Sequence, residues 1–397
     1  MATYEKIKGA VSLFSNSAGI PTGYGVQAKL ILERMVRHGL KPAMISNYGM
    51  EGRVDQITTP FGKVDHYPKG LALHSEDSAP LWASRHEAKH PDLKHVMLML
   101  YDVWVYDKMQ YDGEIWCWVP IDHVTMPPAV HKFLLRDNVH PIAMAPHGQR
   151  EMQKIGIDAS FVPHALDTSV FKPTKNIDGV PARKYLGIPD DAFLVSIVAA
   201  NKANNFVHRK GFAEQLLAFA TFHAKHPDSY LYLHTEPSRA FSGYDIKVLL
   251  QACGLDESSV IIANSDQLRV GYPEKALAAI YTASDVLLSA TYGEGFGVPV
   301  IEAQACGTRV IGSNWAATQD LVAESGWLVP GQPFWDNPQS AFFQIPSIQA
   351  VAQSLEHAYQ AERGVDQTAL EFAQQFAIEK VWRDGWMPIL REIFPSV

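Results

Sequence analysis

Two carboxylates, Glu294 and Glu302, stand eight positions apart in Tyr292-Gly293-Glu294-Gly295-Phe296-Gly297-Val298-Pro299-Val300-Ile301-Glu302. A carboxylate accepts hydrogen bonds from sugar-type hydroxyls. Glycines beside it let backbone amides approach anionic oxygens with no side chain in the way. Together these residues describe a junction that holds the two ends of one ligand, and that ligand is expected to be anionic.

Such a junction needs a strand that stops at the loop and a helix that starts after it. Residues 283–290 read as a buried parallel strand, a short apolar run bounded by polar and glycine residues. Pro299 suits the first turn of a helix, where its missing N–H costs nothing; residues 300–305 continue the helix and Gly307 ends it. Residues 308–312 read as the next strand. The plain alternative is a capped amphipathic helix with both glutamates in solvent, and the agreement of glycines, proline and following strand argues against it.

This spacing resembles the E-x7-E signature of retaining glycosyltransferases of the GT-B fold, in particular glycosyltransferase family 4 (GT4). The resemblance implies that Glu294 touches a donor sugar, that Glu302 binds the ribose hydroxyls of its nucleotide, and that Gly295, Phe296, Gly297 and Val298 line the donor. It also implies an α/β architecture of two facing Rossmann-like domains, with a C-terminal helix crossing back to the first.

Size and charge are compatible with that reading. The 397 residues, 47% of them hydrophobic, suffice for two or three domains with full cores. With 42 acidic against 34 basic residues the net charge is −8, which argues against a large nucleic-acid footprint. Cys117, Cys253 and Cys306 are far apart, so neither a disulfide framework nor a zinc knuckle is indicated, and a reducing compartment fits. The first residues lack the apolar stretch of a signal peptide and no apolar run is long enough to span a bilayer, so a cytoplasmic protein is expected.

Strand-like runs alternate with helical patterns at 8–14, 27–38, 43–46, 95–101 and 115–120, which implies βαβ units and a parallel sheet. A second alternation follows at 193–199, 211–226, 230–234 and 260–263. Between them, Val162-Pro163-His164-Ala165-Leu166-Asp167 leads through Phe171 and Pro173 into a polar stretch and resembles the interdomain segment of the same family. The expected division is 1–165, an acceptor-side domain, and 166–379, the donor domain, with 380–397 assigned to the first domain by the resemblance.

After the first strand of the second half come Asn201, Lys202, His208, Arg209, Lys210 and Gly211. A guanidinium and an ammonium before a helix can neutralise a diphosphate leaving group as its charge grows. Lys210 is the main candidate, with Arg209 beside it. Family members commonly carry an arginine where Asn201-Lys202 stands, so either Arg209 or Lys202 takes its place. Val270 and Tyr272 lie where the family packs a loop against the nucleobase.

In the first half, Gly23-Tyr24-Gly25-Val26-Gln27-Ala28 contains the start of a dinucleotide fingerprint. Ser46-Asn47 stands where that reading needs an acidic residue for the ribose, so a nicotinamide site is disfavoured, and a loop touching donor phosphates fits better. Asp122 and His123 follow a strand end, where the family places a histidine near the sugar; the alignment leaves open which of the two faces it, and both also suit plain strand termination. His86-Glu87-Ala88-Lys89-His90 matches a zinc motif, but Pro91 stops the helix and the flanks read as a solvated face, so zinc is set aside.

The expectation is a retaining glycosyltransferase moving a sugar from a nucleotide-diphosphate sugar to an unknown hydroxyl acceptor, a glycan, a lipid-linked or a small molecule, with Glu294, His123, Asp122, Arg209 and Lys210 as its catalytic set. The resemblance implies no cofactor and no metal, since cationic side chains occupy the metal's place. Lys29, Arg34, Arg37 and Lys41 suggest a basic helix face that would support peripheral membrane contact, a solvated face being the simpler reading. A sugar-nucleotide epimerase and a non-catalytic sugar-nucleotide binding protein are the alternatives. Donor base, donor sugar and oligomeric state are not legible in the residues.

Overall fold

The computed structural model describes residues 4–203 and 207–395. The chain forms two compact units. The first comprises Met1–Ile121, Met126–Ala165 and Ile378–Val397; the second comprises Asp122–Thr125 and Leu166–Ala377.

The first unit is built on eight strands, β1 (Ala10–Asn16), β2 (Lys41–Tyr48), β3 (Asp55–Thr59), β4 (Gly62–Tyr67), β5 (His95–Leu100), β6 (Ile115–Val119), β7 (Val139–Ala143) and β8 (Ser160–Phe161). Their order is β3-β4-β2-β1-β5-β6-β7-β8, parallel except for the β3–β4 pair. The central strands are near-continuous apolar runs because both faces are covered. Phe14, Ile45, Met97, Met99 and Val119 are fully buried in one core. Strand order reverses direction between β1 and β5, and the chain segments leaving those two strands meet there: the Tyr24 hydroxyl donates to Asp102 Oδ2 at 3.3 Å.

The helix Gly23–Arg37 starts at Thr22, whose Oγ1 accepts the Gly25 N–H at 3.1 Å. A Cβ on Gly25 would lie 2.4 Å from the Ile20 carbonyl, so the glycine serves a tight local turn. The C-terminal segment packs within this same unit. Trp386 meets Trp118 edge-on at 4.9 Å. The ring of Phe394 fills the space where a Cβ on Gly9 would stand, 2.4 Å away. Arg34 and Arg37 both donate to Glu379. That pairing corrects the expected basic face at two of its four positions: the Arg34 and Arg37 side chains are largely buried ion-pair partners of Glu379. No described helix is long and apolar enough to cross a membrane.

In the zinc-like motif the helix ends before Pro91 and the flanking Ser84, Arg85 and Lys89 are exposed, as expected, but His86 itself is not. His86 is buried on the helix Ala79–Ala88 and its Nε2 pairs with the Lys41 carbonyl at 2.9 Å, so its ring belongs to the packing between helix and strand and not to a solvated face.

The second unit opens with a short antiparallel pair, β9 (Asn176–Ile177) and β10 (Val180–Pro181). Its main sheet has six parallel strands, β11 (Phe193–Val198), β12 (Ser229–His234), β13 (Val260–Ile262), β14 (Val286–Ser289), β15 (Arg309–Ser313) and β16 (Trp327–Val329), in the order β13-β12-β11-β14-β15-β16. An antiparallel hairpin, β17 (Gly331–Asp336) and β18 (Ala341–Pro346), follows. Val195, Leu216, Phe219, Leu231 and Leu288 pack one face of this sheet, and Leu194, Tyr232 and Ile280 belong to a second cluster. The chain builds outward from β11 one way and from β14 the other, so the carboxyl ends of these neighbours form the point where an open α/β sheet leaves a crevice.

Candidate functional site

Because β11 and β14 run parallel side by side, the loops that leave them are neighbours. The first loop carries Arg209 and Lys210 into the helix Phe212–His223; the second carries Tyr292 to Gly297 into the helix Val298–Ala305. The loops are stitched together at the backbone, the Tyr292 N–H donating to the Arg209 carbonyl at 2.7 Å. Gly211 makes the approach possible. It sits at φ 61°, and a Cβ there would lie 2.7 Å from the Ala290 carbonyl.

Glu294 is the centre of this junction. Lys210 Nζ donates to its Oε1 at 2.6 Å, and Arg209 Nη1 donates to its Oε2 at 3.0 Å and to the Gly293 carbonyl at 2.8 Å. Burial would raise the Glu294 carboxyl, but the Lys210 and Arg209 charges and hydrogen bonds outweigh it and hold the group below the usual carboxylate range. Burial pushes the Lys210 ammonium down to about 8; Arg209 adds to that, and Glu294 opposes it. At neutral pH the pair is therefore charged. Two part-buried cations sharing one carboxylate can exchange it for the oxygens of a phosphate at a reduced desolvation cost on their side.

Glu302 stands apart, on the helix itself, where Tyr281 donates its hydroxyl to Oε2 at 3.0 Å. Burial, reinforced by Glu274, pushes the Glu302 carboxyl up to about 7 against the Tyr281 hydrogen bond. Gly295 and Phe296 are buried, and Phe296 packs edge-on to Phe376 at 5.8 Å. Gly297, at φ 117°, precedes the helix, and Val298 at its first position is partly exposed.

The segment Asp122–Thr125 joins the same unit, held along the hairpin. Val124 and Phe342 exchange backbone hydrogen bonds of 2.9 and 2.7 Å. His123 is buried with its ring stacked on Phe343, centroids 3.7 Å apart. Its Nδ1 lies 2.7 Å from Asp122 Oδ1 and its Nε2 lies 3.1 Å from Asp336 Oδ2. Burial would lower the imidazole, yet Asp122 and Asp336 raise it to about 9. Burial would likewise raise Asp122, but the His123 charge and hydrogen bond, with Arg209, hold it at about 2. Asp122 Oδ2 lies 3.9 Å from Arg209 Nε. Of the two strand-end residues, Asp122 is therefore the more open and His123 the enclosed one.

Other expected residues do different work. Asn201 is a buried staple: its Nδ2 donates to the carbonyls of Glu236, Ser238 and Tyr244, and its Oδ1 accepts the Tyr244 N–H at 2.8 Å. Its amide N–H groups are thus spent on three carbonyls inside the protein. Lys202 is exposed on the same loop. The stretch read as a loop around residue 270 contains a helix, Ser265–Val270, capped by Asn264; Val270 ends it in solvent, and Tyr272 packs edge-on against His234 at 4.7 Å. Gly23, Tyr24 and Gly25 belong to the first unit.

Gly293, Phe343 and Asp336 were not singled out by sequence reasoning. A Cβ on Gly293 would lie 2.2 Å from the Asp122 carbonyl, a close approach that only glycine allows. Asp336-Asn337-Pro338 carries turn chemistry that points to a hairpin, but nothing local identifies a partner 213 positions away. Among the described residues no cluster of three or more His, Cys, Asp or Glu is placed to hold a metal ion.

Residues 242–340, which include the Glu294 loop and the Glu302 helix, match the family model of the glycosyl transferases group 1. Relatives include D-inositol 3-phosphate glycosyltransferases: that of Arthrobacter sp. (strain FB24) is 28% identical over 192 residues, 47% of this chain and 42% of the relative. That of Corynebacterium urealyticum is 30% identical over 175 residues, 44% of this chain and 39% of the relative. The matches thus span about two-fifths of those relatives' length.

Solved structures extend the likeness to the whole fold. The sucrose-phosphate synthase of Thermosynechococcus elongatus superposes with a TM-score of 0.73 at 19% identity, over 97% of this chain and 99% of that one. WaaG, a glycosyltransferase involved in lipopolysaccharide biosynthesis, gives 0.61 at 14% identity, over 98% of this chain and 100% of that one. The fold is GT-B.

Proposed function

We propose that the protein transfers a sugar from a nucleotide-diphosphate sugar to a hydroxyl acceptor with retention of anomeric configuration. The observation that carries this reading is the Glu294 carboxylate held by Arg209 and Lys210 where β11 and β14 end. Arg209 and Lys210 take the diphosphate. Glu294, released from them, accepts hydrogen bonds from the sugar, and Glu302 accepts from the ribose.

As the bond from the anomeric carbon to the diphosphate oxygen breaks, negative charge grows on that oxygen beside the two cations, which are already part-buried and in place. The acceptor oxygen bonds the same face of the sugar and the departing diphosphate takes its proton, so no separate protein base is required. The two cations fill the role a divalent metal would have, and transfer proceeds without one.

The test is nucleotide release from a panel of UDP-, GDP- and ADP-sugars, with proton NMR of the product. The reading requires release from one donor, lost in Glu294→Ala, and a product with the donor's anomeric configuration. Inversion, or no release from any donor, would overturn it.

A further inference from the structure

From the hairpin β17–β18 and the Asp122–Thr125 segment we infer that Asp336 is a positioning residue: by clamping His123 from the side opposite Asp122, it holds the imidazole as a fixed cation that orients Asp122, and through it Arg209, for binding a nucleoside diphosphate. This rests on the reading of Arg209 and Lys210 as the diphosphate site.

His123 Nε2 hydrogen-bonds Asp336 Oδ2 at 3.1 Å, and Nδ1 lies within ion-pair distance of Asp122 Oδ1, 2.7 Å away. Two carboxylates within ion-pair distance, one beside each ring nitrogen, favour the imidazolium over the neutral ring. The remaining face is closed by the uncharged ring of Phe343. The charges then alternate without interruption: Asp336, His123, Asp122, Arg209, Glu294, Lys210. Within that row Asp336 is the terminal carboxylate. It is buried, and its place is set by the alternation of the hairpin, which puts Asp336 and Phe343 on the inward face while Trp335 and Phe342 point out.

Asp336→Asn keeps the shape but removes the second negative charge. The imidazole then loses the partner that favours its charged form, Asp122 is left facing a group that deprotonates near neutrality, and it competes more strongly for Arg209. The consequence appears at the diphosphate, with no direct contact from Asp336.

The experiment follows the His123 ring by NMR in the full-length, unliganded protein, its signal assigned by its loss in His123→Gln, together with calorimetric titration of UDP, GDP and ADP. The clamp predicts that wild-type His123 carries two N–H protons through neutral pH and titrates well above an ordinary histidine. It further predicts that Asp336→Asn lowers that midpoint by about one pH unit or more and weakens the nucleotide about tenfold at pH 8, and that Asp336→Glu restores both in part. An ordinary or neutral His123 in the wild type overturns the inference without any variant having to fold. So does an Asp336→Asn protein whose histidine moves while nucleotide affinity does not. Should the wild type bind none of the three nucleotides, the diphosphate reading fails, and with it Asp336's role in binding, whereas the His123 titration still reports whether the clamp exists.

Discussion

Lys210 Nζ lies 2.6 Å from Glu294 Oε1, and the two charges come from loops that follow different strands. The ammonium is pushed to about 8 by burial. Nucleoside diphosphate affinity is therefore expected to fall as pH rises through about 8, where this cation is lost. Stability should move the other way. Between about 8 and the ordinary lysine value the unfolded chain holds a proton that the folded one has given up, so this group's contribution to stability rises with pH across that window. Calorimetric affinity and denaturant midpoints from pH 7 to 10 check both signs, and Lys210→Met should flatten both profiles.

Glu302 carries a carboxyl raised to about 7. Its folded form holds a proton more tightly than its unfolded form, so its contribution to stability falls as pH rises from 4.5 to about 7. Glu302→Gln removes that cost and is expected to raise stability at pH 8 by about 1–2 kcal/mol, discounted for its partial exposure. Nucleotide affinity should fall at the same time. A variant that loses both stability and affinity would show Glu302 to be structural.

Asn201→Ala deletes one side chain that joins three carbonyls and one N–H. A loss of about 2–4 kcal/mol is expected in urea unfolding. Because its amide N–H groups are used internally, nucleotide affinity of the folded variant should stay within about threefold of wild type, as for a substitution outside the binding surface.

Gly293→Ala places a methyl group 2.2 Å from the Asp122 carbonyl. Backbone cannot yield as a flexible side chain does, so the Glu294 loop and the Asp122 segment must separate. Turnover is expected to fall about a hundredfold, the scale of a catalytic group misplaced by roughly an ångström. Near-normal turnover would show that the close approach is dispensable.

The fold class was legible because its signals are local. Apolar runs such as Phe193 to Val195 and Val286 to Leu288 mark buried parallel strands, and glycine spacing with Pro299 marks the loop-to-helix junction. What local signals miss is who pairs with whom. Arg209 and Lys210 stood out as cations before a helix, but their shared use of Glu294 depends on β11 lying beside β14, a property of strand order. Asn201 looked like a ligand-binding polar residue because sequence shows a side chain's capacity and not whether it is already spent. Arg34 and Arg37 looked like a surface for the same reason, until Glu379 is brought to them from the far end of the chain. Asp336 was invisible, since its meaning lies wholly in His123.

The measurement that bears most directly on the central claim is calorimetric titration of UDP, GDP and ADP into the wild-type protein, Arg209→Met and Lys210→Met. The account predicts that the wild type binds one of these nucleotides with clear preference, that binding weakens with added salt, and that each substitution reduces affinity by tenfold or more, about 1.4 kcal/mol at least. Binding left unchanged in both variants, or no binding of any nucleoside diphosphate to the wild type, would contradict it.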